Sequence, residues 1–408
     1  MKIGLLGLGT VGAGAYEIIE NQKGRLQEFY QEELTVERIL VRNLNKKRPV
    51  EVPDGKLTCD ADDILNDPSI DVILSVMGGM EPAKSYILKA LQNGKHVITS
   101  NKAVVAANLS LFLNEAKKSN VAFLFEGAVG GGIPIIKPLK QQRRLNQIQA
   151  IEGILNGTTN FILTQMMENK LEFDTVLADA QARGYAEADP SADIDGFDVQ
   201  RKIAILSSLA YGQEIPTEKV YTRGIRSIRG IDTDYFQSKN LDVKLVASSA
   251  QQNDAISIWV EPCIVDPSHR FYAIKNSDNV VSFIGHLSGR LDFVGAGAGM
   301  DPTANAVISD LMDILDNHYQ ADIIPLALAE NVGPTHASQD YYLRVDLLSC
   351  TKSEQARLAE QLLNLGLANN QKIYQGMIEG IEASVMRAIV SDVEKECGSI
   401  FYARRLKG

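Results

Sequence analysis

The chain has 408 residues, of which 45% are hydrophobic and 23% charged, and its formal net charge is −10. That length exceeds what one hydrophobic core usually serves, so two or three domains are expected. The acidic balance argues against a nucleic acid or another polyanion as partner. The basic run at 137–144, KPLKQQRR, reads as a short solvated helix face. Cys59, Cys263, Cys350 and Cys397 show no CxxC spacing. They predict reduced thiols, with neither a zinc site nor a disulfide framework.

The N-terminus, MKIGLLGLGTVGAGAY, has an apolar run too short to span a bilayer and no cleavage pattern. A cytoplasmic protein without membrane attachment is expected. KIGLLGLG reads as a strand closing on Gly7-x-Gly9-x-x-Gly12, and residues 11–33 read as a helix. Between a strand and a helix this triplet is a dinucleotide fingerprint. Gly7 permits the tight turn, Gly9 lets the backbone approach a pyrophosphate, and Gly12 lets the helix pack on the strand. The helix start at Thr10 and Val11 offers N–H groups to the phosphate. A strand–helix turn that simply needs small residues is the other reading.

Further strands are predicted at 34–43, 70–79, 95–103 and 121–132, with an amphipathic helix at 81–94. This alternation predicts a parallel, doubly wound sheet, whose ligands sit beyond the carboxyl ends of the strands. Those ends carry Gly7 to Gly12, Arg42, residues 77–79 with Gly78, Asn101 with Lys102, and Glu126 to Gly132. Where NAD sites place an acidic residue, this chain has Arg42, followed by Lys46, Lys47 and Arg48. A cation there suits the 2′-phosphate of NADP and favours it over NAD, although a solvated basic loop would read the same. Lys102 follows a strand on the ligand edge, either as a functional group or as a surface residue.

From about residue 130 the pattern changes to antiparallel-leaning strands at 146–155, 244–251, 255–265, 279–286 and 290–299. A turn, NGTTN at 156–160, precedes a helix over 161–170. A helical pattern returns over 298–318, with Asp301 as its N-cap and Pro302 in its first turn.

The stretch GYAEADPSADIDGFDVQRK, 184–202, crowds carboxylates beside a lysine. As a calcium loop it fails, because Lys202 would stand where a bidentate Glu is required. Asp198 and Lys202 are spaced i, i+4 at the start of a helix and share one face. Spacing alone is accounted for by a surface ion pair. The sharper reading is a partly desolvated lysine that exchanges a proton with a substrate hydroxyl.

Taken together, GLGTVGAG, NKA at 101–103, EGAVGGGIPII at 126–136, NGTTNFIL at 156–163 and the acidic stretch resemble the homoserine dehydrogenase family over residues 1 to about 320. The resemblance implies NAD(P)-dependent hydride transfer between L-homoserine and L-aspartate 4-semialdehyde, in threonine and methionine biosynthesis. It makes Lys202 the carrier of the hydroxyl proton and Asp198 a substrate contact that orients it. Glu187 matches a ligand for the substrate ammonium, Asp193 a further acidic position, and Lys102 the lysine between cofactor and substrate. Gly157, Thr158 and Tyr185 match the lining of the pocket. The family also binds a monovalent cation, often sodium, through backbone carbonyls, at positions matching Glu126, Val129, Gly131 and Ile133. A homodimer or larger homo-oligomer is a further implication.

The fold class so expected is α/β: a Rossmann domain over 1–128 with 300–325 packing back on it, an α+β catalytic and dimerisation domain over 129–299, and an ACT-like domain over 340–408. With nothing before the first strand, no fused aspartate kinase is expected. In the tail, the Pro-Gly-x-Leu step of ACT domains is replaced by LLSCTKS, 347–353. An ACT-like fold without threonine feedback, or a packing module, is therefore expected. Two competing readings remain. Aspartate-semialdehyde dehydrogenase requires a nucleophilic cysteine, and no cysteine here lies in such a motif. A non-catalytic NADP sensor would not need Lys202 or Glu187.

Overall fold

Strand β1 (Lys2–Leu6) is buried at every residue after Lys2, as a central parallel strand covered on both faces must be. In the computed structural model, which describes residues 1–319, 326–334, 337–348, 350–396 and 399–407, it lies between β2 (Thr35–Leu40) and β4 (Val72–Ser75), reached after β3 (Leu57–Thr58). With β5 (His96–Thr99) and β6 (Phe123–Leu124) the order is β3-β2-β1-β4-β5-β6, and every pairing is parallel. The order reverses beside β1, so the crevice at the carboxyl ends of β1 and β4 is the switch point where such sheets take ligands.

These strands belong to the first of two units, which comprises Met1–Gln149, Arg201–Thr217 and Val281–Glu330. The helix expected over 11–33 is two, α1 (Thr10–Asn21) and α2 (Lys23–Tyr30), broken at Gln22 with φ −102° and ψ 7°. A short α3 (Asp62–Leu65), α4 (Ala83–Gln92) and α5 (Lys102–Ser119) follow. The strand expected over 95–103 ends at Thr99, because the Asn101 side chain accepts from the N–H groups of Ala103 and Val104 and starts α5 there. Lys102 is thus in a helical first turn. The strand expected over 121–132 pairs only at Phe123–Leu124 before a 3-10 turn at Glu126–Ala128.

The helix Met300–Leu315 joins the core of this unit. Its Ala304, Val307, Leu311 and Ile314 share one apolar cluster with Ile3, Leu5, Ala15 and Ile19. Its N-cap is Gly299, not Asp301, which lies in the first turn. The entering chain has φ +127° there, a conformation glycine tolerates and aspartate does not. Residues 320–325, the end of the stretch expected to return to this unit, lie outside the described residues.

The second unit comprises Ala150–Gln200, Glu218–Val280 and Asn331–Gly408. Its sheet is centred on the hairpin of strands Asp242–Gln252 and Ala255–Val265. The first of these also pairs antiparallel with β7 (Ile148–Ile154) through Ala150–Gly153. The tail runs strand Ser338–Asp346, helix Lys352–Asn364, strands Ala368–Asn370 and Ile373–Glu382, helix Ala383–Glu396, strand Ile400–Arg405. This β-α-β-β-α-β order is the ferredoxin-like one that an ACT-like tail would require. In place of a Pro-Gly step, Thr351 and Glu354 form a capping box that starts the first tail helix. Ser349 is outside the described residues. Cys350 is disulfide-bonded, which corrects the expectation of reduced thiols at that position, whereas Cys59 and Cys263 are free.

Buried charges fasten the tail strands within this unit. Asp232 accepts from Arg344 Nε and from the Tyr342 hydroxyl, each at 2.8 Å. Glu261 accepts from Arg404 Nε at 2.8 Å and from the Tyr402 hydroxyl at 3.0 Å. Removing one partner leaves the other charge buried and uncompensated. We expect Arg344→Met to lower stability by about 3–5 kcal/mol in denaturant unfolding. A loss below about 1 kcal/mol would show that Asp232 simply takes up a proton.

Candidate functional site

At the end of β1 the backbone N–H of Gly7 donates to Leu40 O at 3.1 Å, and Gly7 has φ +102°. A Cβ on Gly12 would come 2.1 Å from Gly7 O, so only glycine lets α1 start this close to the strand, whereas Gly9 faces open space. Gly9 is the N-cap of α1 and supplies no capping side chain. The N–H groups of Thr10, Val11 and Gly12, which have no helical acceptor, are therefore available to an anion. The cradle fits a dinucleotide pyrophosphate.

Asn101 links two other ligand-edge positions. Its Nδ2 donates to Met77 O at 3.0 Å and to Gly79 O at 2.7 Å, while its Oδ1 caps α5. The turn that carries Gly78 is thereby tied to the helix start that carries Lys102. Arg42 lies two residues beyond β2 with its side chain exposed. Arg48 is engaged differently: its guanidinium turns back onto the carbonyls of Leu44 and Lys46, at 2.9 and 2.7 Å. Arg42, Lys46 and Lys47 are left as the exposed cations of that loop.

In the second unit, β7 leads into α7 (Gly157–Asn169), which follows α6 (Ile136–Arg143) in the chain. Asn156 caps α7. Its Oδ1 accepts from Thr159 N at 2.8 Å, and its Nδ2 donates to Asp193 Oδ1 at 2.7 Å and Asp198 Oδ2 at 2.9 Å. A Cβ on Gly157 would stand 2.7 Å from Ser277 O, so the turn tolerates no side chain there. Thr158 Oγ1 donates to Tyr185 O at 2.6 Å, and the Tyr185 ring stacks on Phe161 with centroids 4.7 Å apart.

The acidic stretch follows α8 (Phe173–Ala182) and contains the single-turn α9 (Ser191–Ile194) before α10 (Phe197–Tyr211). Asp198 and Lys202 lie one turn apart on α10 and are 2% and 6% exposed. They are not a surface ion pair, and the reading that spacing alone favoured is corrected. The loop therefore brings together Gly157, Thr158, Tyr185, Asp193 and Asp198, with Lys202 on the same helix as Asp198. The side chain of Glu187 stands on an exposed part of the loop, and its carbonyl accepts from Gln181 at 3.0 Å. The motifs that contain Asn156 and Asn101 assign neither residue a role. The signal that marks both is an Asn between a strand and a helix.

The loop after β6 is arranged around a buried carboxylate. Glu126 accepts from the N–H groups of Ile135, Ile136 and Lys137 at 2.6, 2.7 and 2.9 Å, capping α6, and its own N–H donates to Asp310 at 2.8 Å. Burial pushes the Glu126 carboxyl above its ordinary range, against the pull of those N–H groups. Burial, and then the nearby Glu126, push Asp310 well above its own. Gly130 and Gly131 turn the loop with φ +78° and +57°. Val129 N donates to Glu126 O at 3.3 Å, and Ile133 N to Gly130 O at 2.9 Å. With the Glu126 side chain engaged by α6, a cation here would rest on backbone carbonyls, which suits a weakly held monovalent ion. Among the described residues no group of three or more His, Cys, Asp or Glu could hold a metal ion. The basic run at 137–144 is not a solvated face. Lys137 pairs with Asp313 at 2.8 Å, and Lys140 is buried with its ammonium 5.4 Å from the Phe125 ring centroid.

Residues 134–312 match the homoserine dehydrogenase family, and residues 7–126 match the family described as homoserine dehydrogenase, NAD binding domain. The chain is similar to a homoserine dehydrogenase of Synechocystis sp., with 44% identity over 340 residues, 82% of this chain and 78% of that one. Among solved structures it is similar to a homoserine dehydrogenase from Thiobacillus denitrificans, with a TM-score of 0.86 and 32% identity over 100% of this chain and 98% of that one. A hyperthermophilic archaeal homoserine dehydrogenase mutant in complex with NADPH is 27% identical, with a TM-score of 0.64 over 76% of this chain and 96% of that one.

The raised pKa of Asp310 means that folding favours its neutral form. That contribution is complete below the unfolded pKa of about 3.9 and is lost as pH rises through the folded value. Asp310→Asn keeps an acceptor for Glu126 N–H and carries no charge. Its thermal stability relative to the parent should therefore rise as the pH is raised above about 4. A deficit constant across that range would remove charge burial as the cause.

Proposed function

The chain belongs to the homoserine dehydrogenase family and is an NAD(P)-dependent oxidoreductase that interconverts L-homoserine and L-aspartate 4-semialdehyde, and on that premise we propose that its acidic loop and α10 hold the substrate, with Lys202 carrying the hydroxyl proton. The observation that carries this reading is the Asn156 carboxamide, which gathers Asp193 and Asp198 one helical turn before a buried lysine.

Homoserine brings an ammonium, which calls for carboxylates, and an alcohol, which must lose a proton as hydride leaves its carbon. Glu187 and Asp193 are assigned to the ammonium. Asp198 contacts the substrate and keeps Lys202 oriented, while Gly157, Thr158 and Tyr185 line the pocket. When bound, the nicotinamide cofactor supplies the hydride acceptor in oxidation and the donor in reduction. Lys202 takes the hydroxyl proton in oxidation and returns one to the aldehyde oxygen in reduction. Lys102 is assigned to the reacting end of the substrate, where its charge favours an oxygen that is gaining negative charge. Gly7, Gly9, Thr10, Val11, Gly12 and Gly78 hold the cofactor, and the exposed Arg42 takes the 2′-phosphate of NADP. Cys263 does not suit the nucleophile of an aspartate-semialdehyde dehydrogenase: burial pushes it well above the ordinary thiol range, which denies it the thiolate form.

The same reading gives the carbonyls of Glu126, Val129, Gly131 and Ile133 to a monovalent cation such as sodium. It divides the chain into domains over 1–128, 129–299 and 340–408, and expects a homodimer or larger homo-oligomer in the cytoplasm. Among the described residues no helix is long and apolar enough to cross a membrane.

Nicotinamide absorbance with L-homoserine and either NADP⁺ or NAD⁺, at alkaline pH, tests the assignment. Lys202→Ala should cut kcat by about 10²–10⁴-fold while cofactor affinity is retained. Unchanged turnover would remove Lys202 as the proton carrier. Arg42→Ala should raise KM for NADP⁺ about tenfold, the loss of one charge-assisted contact, and leave KM for NAD⁺ in place. Equal changes for both nucleotides would withdraw the NADP assignment.

A further inference from the structure

Residues 221–226 run beside the acidic loop and are fixed at both ends. At one end they belong to the sheet and the tail. Tyr221 and Thr222 pair with Trp259 and Val260, and Arg223 N donates to Val260 O at 2.8 Å. The Tyr221 hydroxyl lies 3.0 Å from that of Tyr402, and the Arg387 guanidinium sits 3.6 Å from the Tyr221 ring centroid. The Arg223 guanidinium reaches Glu394, on the second tail helix, at 2.8 Å and Ile400 O at 3.1 Å.

At the other end the strap holds the loop. Ile225 N donates to Ile194 O at 2.7 Å, and Arg226 grips Asp195 with both arms, Nε to Oδ1 and Nη2 to Oδ2, each at 2.7 Å. Between these points the two backbones touch. A Cβ on Gly224 would stand 2.0 Å from Ile194 O, and one on Gly196 would come 3.0 Å from the Thr222 side chain. Asp195 lies between Asp193 and Asp198, the two carboxylates that share Asn156.

We propose that this strap sets the position of the acidic loop, with Arg226 as its positioning residue at Asp195, and that it couples the second tail helix to the grip on the substrate ammonium. The proposal rests on the acidic loop being the substrate site. Most of residues 184–189 are exposed, and beyond the contacts of Tyr185 and the buried Ala186 the segment has little packing to define its position. A bidentate guanidinium–carboxylate fork fixes orientation as well as distance. The Arg226–Asp195 pair is itself substantially exposed, at 56% and 29% of its side chains, so its loss should barely change global stability. It should show instead in substrate affinity.

The test uses the full chain and compares Arg226→Met, Arg226→Lys and Glu394→Gln with Asp193→Asn. Arg226→Met should raise KM for L-homoserine about fivefold, in keeping with an exposed ion pair, while KM for the cofactor stays within about twofold. Its melting temperature should stay within about 2 °C of the parent. Arg226→Lys keeps the charge but not the fork and should restore part of the affinity. Glu394→Gln should raise the homoserine KM in the same direction, and the double variant Arg226→Met/Glu394→Gln should fall short of the product of the two effects, because both act through one strap. The strap is overturned if Arg226→Met leaves the homoserine KM unchanged, or if the cofactor KM rises in step with it. A Glu394→Gln variant with parental KM overturns the coupling to the tail. If Asp193→Asn also leaves the homoserine KM unchanged, the substrate-site reading fails and takes the strap with it. If Asp193→Asn raises it and Arg226→Met does not, only the strap falls.

Discussion

The Asn156 carboxamide is the constraint on which the acidic site depends. An amide has an acceptor and two donors, and here both ends are in use. The oxygen takes the N–H and the hydroxyl of Thr159, and the nitrogen serves two carboxylates on separate stretches of chain. The start of α7, the turn of α9 and the first turn of α10 therefore cannot move independently. Two carboxylates brought this close repel each other, and a shared donor offsets part of that repulsion. Aspartate at this position could still cap the helix but would add a third negative charge. Leucine would leave Asp198 buried without this donor. The chemistry assigned to Lys202 follows from that arrangement, because α10 carries the lysine one turn beyond the carboxylate it fixes.

Part of this was legible in the sequence, and the part that was follows from sterics. Gly7 and Gly12 announce a strand–helix junction because any larger residue at position 12 meets the carbonyl of Gly7. The alternation of strands and helices along the first 130 residues is a local pattern and gave the doubly wound sheet. What escaped depends on partners distant in the chain. Asn101 reaches back to Met77 and Gly79, and Asn156 reaches forward to Asp193 and Asp198. Nothing local to either asparagine reveals those contacts. Burial is equally invisible from spacing, which is why Asp198 and Lys202 read as a surface pair and why Lys140 read as solvated. The strand ends at 99 and 124 were overrun because the Asn101 cap and the 3-10 turn at Glu126–Ala128 that stop them carry no break in the sequence such as a proline. Arg226 is a single arginine in an irregular segment and carries no motif.

The chain also uses buried charge as a sorting device. Arg404 lies 4.1 Å from the ring centroid of Trp259 and 5.3 Å from that of Tyr341, with Glu261 as its counter-charge. Arg344 is matched to Asp232 in the same way. Such pairs add little net stability over apolar packing. They do penalise every alternative register, since sliding a strand by one residue would turn an arginine into the opposite face or strand it without an acid. Glu126 and Asp310 follow another logic. There backbone N–H groups hold Glu126 and the Lys137 charge faces Asp310, while burial pushes both carboxyls upward.

The strand Ile400–Arg405 lies between two others, parallel to Ala255–Val265 and antiparallel to Ser338–Asp346. During synthesis the ribosome delivers those neighbours first, separated from it by some 55 to 135 residues. Until residues 400–405 emerge, Ser338–Asp346 keeps an unpaired edge over Tyr341–Val345, and Ala255–Val265 one at Cys263 and Ile264, open to any other nascent chain. Closure then joins segments far apart in sequence, a slow event for a folding chain. The tail is thus a late keystone, and the window before it arrives is when the unfinished polypeptide is most exposed to misassembly and most in need of a chaperone.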